Sequence, residues 1–220
     1  MIKTVLFDLD ETLLNRDASV QWFVAAQYQR LISALGHIPQ PDYVARWLEL
    51  DCRGHVWKDV VYQQLVLEFE ITKSSWQELL HDYETQFIFH CVPFAGLKEM
   101  LAFFKQQDYR LGIVSNGRGI FQSRAIDGLG IASFFDTILI SEVEELRKPQ
   151  PEIFHRALFK LSSVANEAVF VGDDPEADVR GAKSAGLKAV WKRNQFHIEP
   201  KEANSIIDEL YELPNIVRQL

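Results

Sequence analysis

Residues 1–15 read MIKTVLFDLDETLLN, and this stretch decides the fold. Val5, Leu6 and Phe7 form an apolar run that ends abruptly in Asp8 and Asp10, with Thr12 following. An apolar run without polar alternation is the pattern of a strand covered on both faces of a parallel sheet. Two carboxylates at the end of such a strand repel each other unless something positive answers them.

Working outward from this strand, further short apolar runs occur at residues 109–114, 135–140, 168–171 and 187–191. Between them lie helical patterns at residues 96–107, 119–128, 151–161 and 175–185, two of which begin at Pro151 and Pro175, where a first turn tolerates proline. Strand–helix alternation of this kind predicts an α/β fold: a Rossmann-like parallel sheet flanked by helices, with ligands at the carboxyl ends of the strands. The tail, residues 206–220, reads as a short helix on the sheet.

Residues 16–91 break the rhythm. They hold no convincing strand and four helical patterns, at residues 20–35, 42–50, 56–69 and 76–90, the last with Ser74 or Ser75 as its cap. Trp22, Phe23, Ala26, Tyr28 and Leu31 recur at helical spacing and read as core. The expected organisation is a discontinuous catalytic core, residues 1–15 and 92–220, with an all-helical cap domain of residues 16–91 over the ligand end of the sheet.

Composition narrows the partners. The 220 residues are 47% hydrophobic and 25% charged, with a formal net charge of −8, which is a globular balance. Excess acid offers no general attraction to nucleic acid or to an anionic membrane. Cys52 and Cys91 lack zinc-ligand spacing and read as free thiols. The first strand starts almost at Met1, with no basic leader and no apolar run of membrane-spanning length, so a soluble cytoplasmic protein, monomer or homodimer, is expected.

Polar residues gather at four predicted strand ends: Asp8 and Asp10; Ser115, Asn116 and Gly117; Lys148 before Pro149; and Gly172, Asp173 and Asp174, with Asp178 a turn later. In a parallel sheet all four clusters meet on one rim. Several carboxylates there call for a cation, and hard oxygen ligands in a partly open site favour Mg2+. A lysine and a hydroxyl beside that metal complement a phosphate, so the constellation points to phosphoryl transfer with a carboxylate available as nucleophile.

FDLDET, VSNG, KPQPEIF and VGDDPEADVRGA, in that order, resemble the four motifs of the haloacid dehalogenase-like (HAD) hydrolase superfamily. The resemblance implies that Asp8 is the nucleophile and that Asp10 protonates the leaving oxygen, then takes a proton from the hydrolytic water. It further implies that Ser115 and the Asn116 N–H bind the phosphoryl group and that Lys148 offsets charge. Asp173, the Asp8 carboxylate and the Asp10 backbone carbonyl would hold Mg2+. Asp174 and Asp178 either hold a metal-bound water or orient Lys148, and Thr12 steadies the loop. Members that cleave carbon–halogen bonds lack the second aspartate, so Asp10 implies a phosphatase acting on a small phosphorylated metabolite, a nucleoside monophosphate or a sugar phosphate. A sugar-phosphate mutase and a phosphonate-cleaving relative remain alternatives in the same superfamily, with a non-catalytic phosphate-responsive signalling domain behind them. SNGRGIFQSRAI is similar to a pattern in the branch of pyrimidine 5′-nucleotidases and N-acylneuraminate-9-phosphatases, with Gln122 as the matching glutamine. In the cap, DCRGHVWKD offers Arg53, Trp57 and Lys58 as candidate substrate contacts.

Overall fold

The computed structural model describes all 220 residues. They divide into two compact units, Met1–Asn15 with Pro93–Leu220, and Arg16–Val92.

The first unit is built on a six-stranded sheet: β1 (Thr4–Phe7), β2 (Arg110–Ser115), β3 (Thr137–Ile140), β4 (Ala168–Gly172), β5 (Lys188–Lys192) and β6 (Ser205–Ile207). The order is β3-β2-β1-β4-β5-β6, and every pairing is parallel. β1 lies in the middle, with Phe7 level with Ile113 of β2 and Val171 of β4. Its four residues are all buried, as the unbroken apolar run requires. The chain leaves β1 toward β2 and β3, then returns to place β4 on the other side, so the reversal of strand order falls between β1 and β4. In open parallel sheets this is where the crevice for a ligand opens.

Helices Leu97–Gln106, Gly119–Leu129 and Pro151–Lys160 connect the strands. Leu6, Val114, Leu139, Ile153, Phe154, Ala157, Phe170 and Trp191 belong to one buried cluster of this unit. Where residues 175–185 read as one helix, the chain forms a π-helical turn, Pro175–Arg180, running into a short α-helix, Gly181–Ser184. The tail also differs from expectation. Ile206 and Ile207 belong to β6, and the last helix is confined to Leu213–Gln219. Three residues at a sheet edge are too few to carry a periodic signal.

The second unit is all helical, with its main helices at Arg16–Arg30, Gln40–Asp51, Lys58–Glu68 and Trp76–Gln86. Ser75 closes a capping box with Glu78 at the start of the last. Phe23, Tyr43, Trp47, Tyr62 and Tyr83 are buried together, with ring centroids 4.9–6.5 Å apart in contacting pairs such as Phe23–Tyr83 and Tyr62–Tyr83. Buried Gln27 meets two of their hydroxyls, those of Tyr62 and Tyr43. It accepts from Tyr62 Oη at 2.9 Å and Tyr43 Oη at 3.3 Å, and donates to the Leu79 carbonyl at 3.0 Å. Trp22 departs from the core reading: it is 54% exposed, because Val20, Phe23, Val24, Gln27 and Tyr28 form the buried face of its helix. No helix of the chain is long and apolar enough to cross a membrane, and both cysteines are free.

Candidate active site

The carboxyl ends of β1, β2 and β4 bring polar side chains to one place. Asp8 continues the β1 ladder, its N–H donating to the Val171 carbonyl at 2.9 Å. This seats its carboxylate at the sheet edge, where Oδ1 accepts from Lys148 Nζ at 2.5 Å. The same ammonium lies 2.7 Å from Asp178 Oδ1. Asp8, Asp173 and Asp178 are all buried, and an oxygen from each lies within 4.8 Å of the others.

Glycine makes this packing possible. A Cβ on Gly172 would sit 2.2 Å from Asp178 Oδ2, so only glycine at the end of β4 leaves that carboxylate its place. Asp178 Oδ2 in turn accepts the Asp174 N–H at 3.0 Å. Asp178 thus has one oxygen against Lys148 and the other on the Asp174 N–H. Asp174 caps the following turn, its Oδ1 accepting from Glu176 N and Ala177 N at 2.8 and 2.9 Å. Asp173 is held by two later residues: Asn194 Nδ2 donates to Oδ2 at 2.7 Å, and Trp191 Nε1 donates to its carbonyl at 2.5 Å.

Electrostatics follow from three buried carboxylates around one ammonium. Burial pushes the Asp8 carboxyl up to about 7; Lys148 opposes this, and the charges of Asp178 and Asp10 add to it. Burial also raises Asp173 well above the usual carboxylate range, helped by Asp178 and Asp8. Burial raises Asp178 as well, against the pull of Lys148. For Lys148, burial works to discharge the ammonium, but Asp178 and Asp8 outweigh it and keep it charged. Fully ionised, the three carboxylates would carry more negative charge than the one lysine answers, and burial holds each above its ordinary range.

That surplus fits a hard divalent cation, which is answered by oxygen donors. Lys148 takes Asp8 Oδ1 and Asn194 takes Asp173 Oδ2. Asp8 Oδ2 and Asp173 Oδ1 are left outside these contacts, while Asp178 meets Lys148 and the Asp174 N–H.

The second carboxylate of the opening motif has a different setting. Asp10 is half-buried, and its Oδ2 accepts from Gln122 Nε2 at 2.9 Å. The same nitrogen donates to buried Ser115 Oγ at 2.7 Å. Asn116 acts through its side chain: Nδ2 donates to the Lys148 carbonyl at 3.0 Å, and Oδ1 accepts the Lys148 N–H at 2.9 Å. This reciprocal pair pins the lysine-bearing loop to the end of β2. After Asp10 the chain turns through Glu11 in the left-handed region, and Lys192 Nζ donates to the Glu11 carbonyl at 3.1 Å. Thr12 is fully buried; its N–H donates to the Leu9 carbonyl at 3.3 Å, while its hydroxyl makes no hydrogen bond.

The three residues singled out in the insert run from the turn Cys52–Gly54 to the start of the helix Lys58–Glu68. Trp57 is half exposed, and Arg53 lies 3.5 Å from Asp17. Lys58 is buried, paired with Asp51 and donating to the Val56 carbonyl at 3.1 Å. Its ammonium thus has a structural assignment that a surface lysine would lack.

Sequence reasoning passed over Asn194 and the side-chain role of Asn116. Neither residue type carries a signal by itself. For Asn116 the adjacency to Ser115 was the available clue.

The carboxylate cluster, the buried lysine and the buried serine at the strand ends of a Rossmann-like parallel sheet place the site where α/β enzymes hold their ligands. The chain belongs to the haloacid dehalogenase-like hydrolase family, whose model matches residues 5–192. It is 29% identical over 231 residues to the glyceraldehyde 3-phosphate phosphatase of Pyrococcus furiosus, across 99% of this chain and 94% of that one. A HAD phosphatase from Thermococcus onnurineus superposes with a TM-score of 0.69 and 28% identity over 98% of both chains. The HAD-hydrolase YfnB of Bacillus subtilis, crystallised bound to magnesium, gives a TM-score of 0.74 at 23% identity over 98% of both, a likeness of fold.

Proposed function

We propose that this protein is a Mg2+-dependent phosphatase of a short sugar phosphate, working through an aspartyl-phosphate on Asp8. One observation carries the reading: a buried Asp8 paired to Lys148 at 2.5 Å, with the more exposed Asp10 two residues on, at the end of the same strand. The pair divides nucleophile from acid–base partner by environment. The named relatives supply the substrate class, since glyceraldehyde 3-phosphate is a three-carbon sugar phosphate.

In the first step an Asp8 carboxylate oxygen attacks phosphorus. A P–O bond forms to Asp8 while the ester P–O bond breaks, and the leaving oxygen takes the proton held by Asp10. Ser115 donates its hydroxyl to a phosphoryl oxygen, and Lys148 balances the charge gathered against Asp8. In the second step water attacks the same phosphorus and gives a proton to Asp10. The P–O bond to Asp8 breaks, and inorganic phosphate leaves. Asp8 and Asp173, with the Asp10 backbone carbonyl, would hold Mg2+, which when bound neutralises phosphoryl oxygens and draws the phosphate in.

A panel of phosphorylated metabolites with Mg2+, read by inorganic phosphate, tests the reading. Short sugar phosphates are expected to turn over best, nucleoside monophosphates less well, and EDTA to stop the reaction. No phosphate release from any ester would overturn it. An isomerised sugar phosphate without free phosphate would mark a mutase instead.

A further inference from the structure

We infer that Gln122 is a positioning residue that sets the reactive geometry of Asp10 and Ser115 together, through a single amide nitrogen. The inference rests on the phosphatase reading for what those two residues do; the positioning itself rests on the contacts.

Gln122 is buried, one turn into the helix Gly119–Leu129 that follows the Ser115–Asn116–Gly117 strand end. Its Nε2 meets three oxygens: Ser115 Oγ at 2.7 Å, Asp10 Oδ2 at 2.9 Å and the Asn116 carbonyl at 3.4 Å. A carboxylate and a carbonyl accept only, so this surround requires the nitrogen and not the amide oxygen to face them. The two N–H bonds go to the two nearer oxygens. Each then has its direction decided. Ser115 Oγ is occupied as an acceptor, which leaves its O–H to donate to an incoming oxygen. Asp10 has Oδ2 tied down, which leaves Oδ1 to exchange a proton with the leaving group. The glutamine thereby couples the phosphoryl donor on β2 to the acid–base group after β1, residues 105 positions apart.

The pocket for this side chain is built. A Cβ on Gly117 would lie 2.8 Å from Gln122 Cγ and 2.9 Å from Cδ. Gly117 therefore holds open the space that the glutamine fills, and any larger residue there would displace it.

Three proteins test this: wild type, Gln122→Met, which keeps length and removes both donors, and Gly117→Ala, which crowds the glutamine. Each is assayed with Mg2+ on an aryl phosphate, whose leaving group needs little protonation, and on an alkyl phosphate, which depends on it. Both variants are expected to lose about tenfold or more kcat on the alkyl ester beyond their loss on the aryl ester, and to raise KM on both. Equal losses on the two esters, or none, would overturn the inference while leaving the phosphatase reading intact. A crystal structure of Gln122→Met separates the two claims if wild type hydrolyses neither ester. Altered Asp10 and Ser115 rotamers would uphold the positioning role, and unmoved side chains would overturn it.

Discussion

Each unit of this protein buries a cluster of charged side chains, and the two clusters are balanced in opposite ways. In the helical unit one carboxylate, Asp51, receives two cations. Arg16 Nη2 donates to its Oδ2 at 2.8 Å and to Oδ1 at 3.0 Å, and Lys58 pairs with Oδ1. Asp51 Oδ2 also accepts the Gly54 N–H at 2.9 Å. In the sheet unit one cation, Lys148, serves Asp8 and Asp178, with Asp173 beside them. The first arrangement satisfies its carboxylate completely and holds a turn in which Cys52, Arg53 and Gly54 all take the left-handed conformation. The second crowds more carboxylates than its one ammonium answers at a strand edge, which is the condition for taking up a cation. A buried ion pair by itself does not mark a site; the sign of the surplus does.

The contrast breaks most visibly at Asp8. Asp8→Asn is expected to lower kcat by about 10³-fold or more, as removal of a covalent nucleophile does. It should leave the melting temperature of the metal-free protein unchanged or raised, because it removes charge from an overloaded cluster. A marked fall in melting temperature would show that Asp8 is balanced in the way Asp51 is. Asp51→Asn should do the reverse, costing about 3 kcal/mol of stability by leaving two buried cations underpaired. Differential scanning calorimetry reads this directly, and unchanged stability would remove the argument that Asp51 holds the turn. A smaller effect sharpens the picture. Mg2+ should raise the melting temperature of wild type by binding the native state, and much less that of Asp173→Asn. An equal rise in both would dissociate Asp173 from the cation. Smallest of all, Ser75→Ala in the helical unit should cost about 1 kcal/mol through loss of its capping box, with kcat unchanged. Chemical denaturation followed by circular dichroism measures that cost.

The two units also differ in how far sequence alone describes them. In the sheet unit, β1, β2 and β4 are apolar runs ending in Asp, Ser or Gly-Asp, so both the strands and the rim that carries Asp8, Ser115 and Asp173 at their carboxyl ends could be read in advance. Parallel strands do this because their carboxyl ends all face one way. What escaped were features set by contacts distant in sequence or shorter than a period. β6 is three residues long at an edge. The π-helical turn at Pro175–Arg180 carries Asp178, which lies against Gly172. The reach of Gln122 to Asp10 and of Asn194 to Asp173 depends on side-chain length and helix orientation. In the helical unit apolar periodicity located the helices, yet it misplaced Trp22, whose helix turns another face inward. It also left Lys58 as a surface candidate, because its pairing with Asp51 depends on the left-handed turn between them. A charged residue at a loop reads as solvated until the fold supplies its partner.

The central claim is that phosphorus is attacked twice, first by Asp8 and then by water. Its most direct test is the stereochemical course of hydrolysis of a phosphorothioate ester made chiral at phosphorus with one oxygen isotope and hydrolysed in water carrying another. Two in-line displacements each invert the centre, so net retention of configuration is predicted. Net inversion would mean that water attacks the ester directly, and it would contradict the assignment of Asp8 as nucleophile.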